Sequence, residues 1–359
     1  MVYPQAPLTR IQTYLTGYFK ILEKLRLVLL GFGVVGQSFV KLLLSHSADL
    51  FNDYGIKPKV VACADNGGIV TSNQGLDLDR LLSVKKKKKS VIHYGSSESS
   101  SILDVIENMD AEVVIELTPT NIKDGEPGKT HIVTAMKSGK NVITVNKGPL
   151  ALEFPSLVEL ADYNRIAFKF SGTVGGGTPI LEFAKRCLKG DRILSFEGIL
   201  NGTTNYILSK MFEGLNFSQA LQDASEKGYA EKDPTLDIDG YDAVAKLVIA
   251  SNLVMNMKST MSDVKRTGIR NVQASDVTKE RKKGNAIKLI ATCDGKNLTV
   301  EPKAISTKDP ICVDGILNAI TFTCQHSGHQ TIIGKGAGGM ETASSILRDL
   351  IDIRNIIRS

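Results

Sequence analysis

No apolar run in this 359-residue chain approaches the ~20 residues that cross a bilayer, so a membrane partner is not expected. The five cysteines (63, 187, 293, 312 and 324) stand far apart, with an odd count and no close pair to hold zinc. That pattern favours a reducing, cytoplasmic setting over a disulfide framework. The formal net charge of +6 owes most of its excess to one run, Lys85 to Lys89. Outside that run the charges nearly balance, which argues against a nucleic-acid partner. Residues 1–24 carry few acids and lack the apolar core of a secretory signal. A short extension, a mis-set start or another targeting segment stay open for them.

What is present is ordinary for a globular chain, with 42% hydrophobic and 23% charged residues. The length predicts two domains. Leu25–Leu30 is an apolar run that ends directly in Gly31-Phe32-Gly33-Val34-Val35-Gly36, and a helical pattern follows over Gln37–Leu44. Further β-branched runs come at Val60–Ala64, Glu112–Leu117 and Asn141–Val145, with a helix-like stretch at Thr130–Lys137. Strands alternating with helices predict an α/β, Rossmann-type doubly wound parallel sheet over residues 25–150. From Arg165 onward hairpin signals appear, Asp294-Gly295 and Ser327-Gly328, each between two strand-like runs. They predict a second, α+β domain with a mixed sheet over 151–341. A last helix, 342–357, is expected to pack back on the first domain.

The first glycine loop sits between a strand and a helix, as dinucleotide binding requires. One glycine makes the turn, the next admits the pyrophosphate, and the third lets helix and strand close up. A purely structural strand-to-helix turn is the plain alternative. Asp65 ends the second strand, where an acid binds the adenosine ribose hydroxyls and favours NAD; Lys85–Lys89 would instead serve a 2′-phosphate and favour NADP, or form a solvated lysine loop. The preference between NAD(H) and NADP(H) stays open. Lys147 lies just past the strand Asn141–Val145, at the edge where doubly wound sheets bind ligands. Two more glycine loops, Val174–Pro179 and Gly334–Gly339, can cradle an anion through amides or a hard cation through carbonyls; flexible connectors or positive-φ turns would read the same.

The stretch Gly228–Lys246, GYAEKDPTLDIDGYDAVAK, carries the sharpest signal. Acids crowd a turn-rich segment, and a helix-like run over Ala243–Met257 follows in which Lys246 is the only charge. A helix apolar all round is buried, and a buried ammonium needs a partner. Asp242 lies one helical turn earlier on the same face. Carboxylates for an ammonium and a lysine for a carboxylate or a proton suit a zwitterionic substrate. A surface Asp–Lys pair beside a solvated acidic loop is the bland alternative.

With these residues in place the chain resembles homoserine dehydrogenase from about Leu25 to its end. The motifs, in order, are GFGVVG, ELTPTNIKDGEPG, NVITVNKGPLAL, GTVGGGTPI, GILNGTTNYIL, GYAEKDPTLDIDGYDAVAK and GKGAGGMETA. The resemblance implies NAD(P)H-dependent interconversion of L-homoserine and L-aspartate 4-semialdehyde, on the route to threonine, isoleucine and methionine, by a homodimer. It implies Lys246 as the acid–base lysine with Asp242 beside it, and Lys147 as a second lysine close to substrate and nicotinamide. It implies Glu231, Asp237, Tyr229 and Thr203 as substrate contacts, and Thr118, Gly228 and Gly338 as positions approaching the cofactor. The backbone carbonyls of Val174, Gly176 and Thr178 resemble a sodium-binding loop. Ser171 stands where relatives often carry glutamate, a ligand that acts through its own carbonyl. Asn66 replaces the basic residue of NADP-preferring relatives. The chain stops soon after its last helix, so no threonine inhibition through an appended regulatory domain is expected.

Two other readings compete. Aspartate-semialdehyde dehydrogenase shares the cofactor domain but needs an activated cysteine, and neither Cys63 nor Cys187 has a motif around it. A nicotinamide-sensing regulator would have lost the chemistry, yet both lysines and the carboxylates are present.

Overall fold

The structure, a computed structural model, describes residues 25–95 and 101–358; the expected extension at 1–24 lies outside the described residues. The first unit is a six-stranded sheet of β1 (Leu25–Leu30), β2 (Pro58–Asp65), β3 (Gly68–Thr71), β4 (Val113–Glu116), β5 (Asn141–Thr144) and β6 (Phe168–Lys169). Its order is β3-β2-β1-β4-β5-β6. β1 reads LRLVLL and is almost wholly buried, the continuous apolar run of a strand covered on both faces. It pairs in parallel with β2 on one side and β4 on the other, so the chain reverses direction of travel across the sheet there. That switch point opens a crevice at the carboxyl ends of β1 and β4.

Helices cover both faces: α1 (Val34–Ser45), α2 (Ser47–Tyr54), α3 (Leu78–Lys88), α4 (Ile102–Asn108), α5 (Gly128–Lys137) and α6 (Lys147–Tyr163). Two expectations shift here. The sheet is parallel except for β3, which pairs antiparallel with β2, and it runs past residue 150, because α6 leads into β6, where Phe168 lies opposite Val142 of β5. A two-residue strand carries no periodicity to read. The lysine run is not a loop: Lys85–Lys88 form the last turn of α3, where cations oppose the negative end of the helix dipole.

The second unit is a mixed sheet of β7 (Ile193–Ile199), β8 (Val264–Arg266), β9 (Asn285–Cys293), β10 (Leu298–Ser306), β11 (Leu317–Cys324) and β12 (Gly328–Lys335). The order is β12-β11-β7-β9-β10-β8, antiparallel except for the β8–β10 pair. Both hairpin signals mark real turns. The first is fixed by Asp294, whose carboxylate accepts from Lys296 N (2.9 Å) and Asn297 N (2.7 Å). The longer helices are α7 (Gly202–Glu213), α8 (Phe217–Glu226), α9 (Tyr241–Met255) and α10 (Ala274–Lys282).

Two helix pairings place the site. The final helix, α11 (Gly339–Arg358), packs on α1; its Ala343, Ile346, Leu350 and Ile353 join the core around Leu27, Leu29 and Phe39. A Cβ at Gly339 would lie 2.7 Å from Val34 Cγ1, so the two helix starts touch. α9 packs against α6 and buries every residue from Ala243 to Asn252. Its Val244, Leu247, Val248 and Ile249 each contribute roughly 1.5–3 kcal/mol on burial. That packing brings the start of α6, with Lys147, to the start of α9, with Asp242.

Candidate active site

A cavity of about 780 Å³ lies over the switch point. Residues Gly31, Phe32, Gly33, Val34, Val35 and Gly36 line it, as do Asp65, Thr118, Lys85 and Lys89. The glycines answer different needs. Gly31 has φ +105° and its Cβ would meet Leu117 O at 2.5 Å; a Cβ at Gly36 would meet Gly31 O at 2.5 Å. Gly33 has an ordinary φ of −82°, and nothing lies within 4 Å of its Cβ position. No packing inside the protein requires glycine there. A ligand approaching the backbone does, and the α1 start behind it favours negative charge. The residues thus fit a dinucleotide, whose pyrophosphate the amides at the start of α1 would receive.

At the far end the Asp65 carboxylate is fully engaged by its own chain. Its oxygens accept from Lys85 Nζ (2.5 Å), Ser90 Oγ (2.9 Å), Val91 N (2.9 Å) and Gly67 N (2.9 Å). Burial pushes this carboxyl up, but Lys85 and the backbone donors outweigh it and hold it below its usual range.

A second cavity, of about 730 Å³, adjoins the first. Val34, Val35, Leu117, Thr118, Pro119 and Glu231 border both. Lys147, Gly228 and Gly338, read from the sequence as cofactor positions, line this second cavity and not the first. With them are Lys246, Asp242, Asp237, Tyr229 and Thr203, so the sequence-read substrate residues share one space. Asp242 bridges the lysines: Oδ2 lies 2.7 Å from Lys246 Nζ and Oδ1 lies 3.5 Å from Lys147 Nζ. Burial pushes the Asp242 carboxyl up; the charges of Lys246 and Lys147 and the hydrogen bonds from Lys246 and Asn201 reverse this and hold it well below the usual carboxylate range. Lys246 also donates to Leu200 O (2.7 Å). An ammonium has three N–H groups, and the third is left for the cavity. Thr203 Oγ1 donates to Tyr229 O (2.8 Å), fixing the Gly228–Glu231 turn to the start of α7.

Sequence reasoning missed Asn201. It caps α7, and its Nδ2 donates to Asp237 Oδ1 (2.7 Å) and Asp242 Oδ2 (2.8 Å). The only sequence signal was the cap, since the carboxylates lie 36 and 41 residues away. Burial, then the charge of Asp242, raises the Asp237 carboxyl above its ordinary value.

The remaining sequence-read residues form a loop behind the second cavity. Gly176 lines that cavity, whereas Val174, Thr178 and Ser171 do not. Ser171 N donates to Asp349 Oδ2 (3.0 Å), and Thr178 Oγ1 donates to Lys335 O (3.2 Å). Among the described residues the carbonyls of Val174 and Gly176 accept no backbone hydrogen bond. No group of three or more His, Cys, Asp or Glu side chains forms a metal cluster among the described residues. All five cysteines are free, and none lines either cavity. Cys63 is buried in β2, where burial pushes its thiol far up. No helix among the described residues is long and apolar enough to cross a membrane.

Comparison with known proteins agrees with this geometry. Residues 31–170 match the family model "Homoserine dehydrogenase, NAD binding domain", and residues 179–351 match "Homoserine dehydrogenase". The homoserine dehydrogenase of Methanocaldococcus jannaschii is 44% identical, over 92% of this chain and 98% of that one. The NAD(+)-dependent homoserine dehydrogenase of Pseudomonas canavaninivorans is 36% identical, over 91% and 96%. A crystal structure of a putative homoserine dehydrogenase from Archaeoglobus fulgidus superposes with a TM-score of 0.85 at 36% identity, covering 92% of this chain and 99% of that one. A hyperthermophilic archaeal homoserine dehydrogenase in complex with NADPH gives 0.80 at 26% identity, covering 92% and 97%. With a Rossmann-type domain, a second catalytic domain and these likenesses along nearly its whole length, the chain belongs to the homoserine dehydrogenase family of oxidoreductases.

Proposed function

We propose that this NAD(P)-dependent enzyme interconverts L-homoserine and L-aspartate 4-semialdehyde with Lys246 moving the proton. The observation that carries the assignment is Asp242, held between Lys246 and Lys147 in a cavity that adjoins a nucleotide-sized one. When bound, the nicotinamide supplies the hydride for the aldehyde carbon, or accepts it in reverse. Lys246 spends two N–H groups on Leu200 O and Asp242, so its position is set before substrate arrives. The third donates to the substrate oxygen and stabilises charge developing there. Asp237 and Glu231 take the substrate ammonium, and Lys147 takes its carboxylate. Tyr229 and Thr203 hold the turn that carries Glu231. The homodimer, the cytoplasmic setting and the biosynthetic route to threonine, isoleucine and methionine complete this reading. Direct support for the activity would be oxidation of homoserine by the purified protein.

The acid side of the pH profile tests the carboxylate roles. Asp237 is raised above an ordinary carboxyl, so it gains its proton at a higher pH than usual. As pH falls through that value its attraction for the ammonium disappears, and the homoserine KM is expected to rise with kcat less affected. In Asp237→Asn the KM should be high throughout and the acid limb absent. A wild-type KM that stays flat on acidification would remove Asp237 from the site.

Both NAD and NADP are expected to serve. Lys85 neutralises Asp65, which removes the repulsion an unpaired carboxylate would exert on a 2′-phosphate. The relatives point both ways, one being named NAD(+)-dependent and another holding NADPH. A charge-assisted hydrogen bond contributes about 1.5–3 kcal/mol. Lys85→Ala should therefore lower kcat/KM with NADP about tenfold or more, relative to NAD. An unchanged NADP/NAD ratio would place Lys85 outside recognition.

We further propose a sodium ion held by the carbonyls of Val174, Gly176 and Thr178, with that of Ser171. The unused Val174 and Gly176 carbonyls support it, and oxygen donors suit a hard cation. A sodium-dependent rise in melting temperature, larger than with choline at equal ionic strength, would support the site.

The thioester route of aspartate-semialdehyde dehydrogenase lacks a nucleophile here, because no cysteine borders either cavity.

A further inference from the structure

We propose that Glu116 is a positioning residue for this reaction: by accepting three hydrogen bonds beneath the cavity floor, it fixes the strip Leu117–Pro119 that separates cofactor from substrate. Glu116 ends β4 and is fully buried. Thr118 N donates to its Oε1 (2.7 Å), as does the Thr118 hydroxyl. Its Oε2 lies 2.7 Å from His131 Nδ1, on α5. Thr118 Oγ1, having donated its hydrogen, accepts from Asn146 Nδ2 (3.2 Å). Asn146 Nδ2 also reaches Pro119 O (3.3 Å), and Asn146 Oδ1 caps α6 through Gly148 N (3.0 Å). The next residue after that cap is Lys147.

With Glu116 as an ionised carboxylate, which can only accept, the directions follow. The Thr118 amide can only donate, and its hydroxyl must donate to Glu116 if it is to accept from Asn146. A carboxylate receiving these bonds on one oxygen takes a third from His131, whose Nδ1 therefore carries the hydrogen. His131 borders the cofactor cavity, and Leu117, Thr118 and Pro119 border both cavities. One buried carboxylate thus sets the wall against which the two reactants meet, and through Asn146 it sets the start of the lysine-bearing helix. A solvent-exposed turn could form without it. A strip held to within a fraction of an ångström could not, and a 1 Å misplacement can cost about 100-fold in rate.

Glutamine and alanine replacements separate positioning from mere support. Glutamine can accept both Thr118 bonds through its carbonyl, but its NH₂ group then faces His131, which must switch its hydrogen to Nε2. Alanine leaves the part-buried Thr118 amide without its carboxylate partner. In Glu116→Ala, kcat is expected to fall about 100-fold, with both KM values changing less than about threefold. Glu116→Gln should recover to within about tenfold of wild type, with the His131 tautomer switched in ¹⁵N NMR of the cofactor-loaded enzyme. If Glu116→Ala does not fold, Thr118→Val breaks the same relay, and a kcat about tenfold lower supports the inference. Melting temperatures that drop while kcat per folded enzyme stays normal, in alanine or in valine, would overturn it. So would Glu116→Gln as slow as alanine with an unswitched His131. The inference rests on the two cavities being cofactor and substrate halves. Should Lys246→Ala also keep its activity, that reading of the site has failed; should Lys246→Ala be inactive while Glu116→Ala is normal, this inference alone has failed.

Discussion

Replacing Lys246 with alanine is expected to lower kcat for homoserine oxidation by about 10²–10⁴-fold, the usual contribution of a positioned acid–base group. The fold should survive. Asp242 keeps Asn201 at 2.8 Å and Lys147 at 3.5 Å, so its charge is not stranded when Lys246 leaves. Truncating the reverse partner is harsher: Asp242→Ala leaves two lysines facing each other, one of them buried, and breaking a buried pair in this way costs about 3–5 kcal/mol. The specific signature of Lys246→Ala is a loss confined to chemistry. Cofactor affinity, read by nicotinamide fluorescence, should stay within about threefold of wild type, while kcat and kcat/KM fall together. A variant with near-normal kcat would transfer the proton role elsewhere, with Lys147 the first candidate because it faces the same carboxylate.

The second large effect is expected at Gly33. The Cβ of a valine there meets no protein atom within 4 Å, and valine suits the extended backbone at that position, so the melting temperature should fall only by the modest cost of a poorer helix cap. The added methyls project where the pyrophosphate must approach the α1 amides. Losing one or two charge-assisted hydrogen bonds at about 1.5–3 kcal/mol each raises the cofactor KM by roughly 10–10⁴-fold. Gly36→Val provides the contrast, because its Cβ would sit 2.5 Å from Gly31 O. That variant should lose stability first. A thermal melt and a cofactor titration on the two proteins separate these cases; normal cofactor affinity in Gly33→Val would mean that nothing docks against this loop.

These two residues also show why parts of the site were legible in the sequence. Gly33 sits in a strand–loop–helix context whose period changes from continuous apolar to helical within a dozen residues. Lys246 stands out because it is the only charge in an otherwise apolar helix-like run. Both signals are local. What escaped notice depends on partners far along the chain. Asn201 looks like a helix cap until α9 brings Asp237 and Asp242 against it. Glu116 looks like the polar end of a strand until α5 and the α6 cap converge on it. Lys85 belonged to a run of five identical residues, of which only the fold can say which one reaches Asp65. The short β6 strand was unreadable for another reason, since two residues cannot display a period of two. The division into two cavities sharing one wall likewise follows from helix packing, not from any motif.

The central claim is that an Asp242-held Lys246 handles the proton while a nicotinamide cofactor in the neighbouring cavity exchanges hydride with homoserine. The most direct measurement is the rate of L-homoserine oxidation by wild type and Lys246→Ala, followed by nicotinamide absorbance with NAD and NADP in parallel. Wild type should turn over with both cofactors, and the variant should bind them normally yet turn over about 10²–10⁴-fold more slowly. Wild type that oxidises homoserine with neither cofactor, or a variant as fast as wild type, would contradict it.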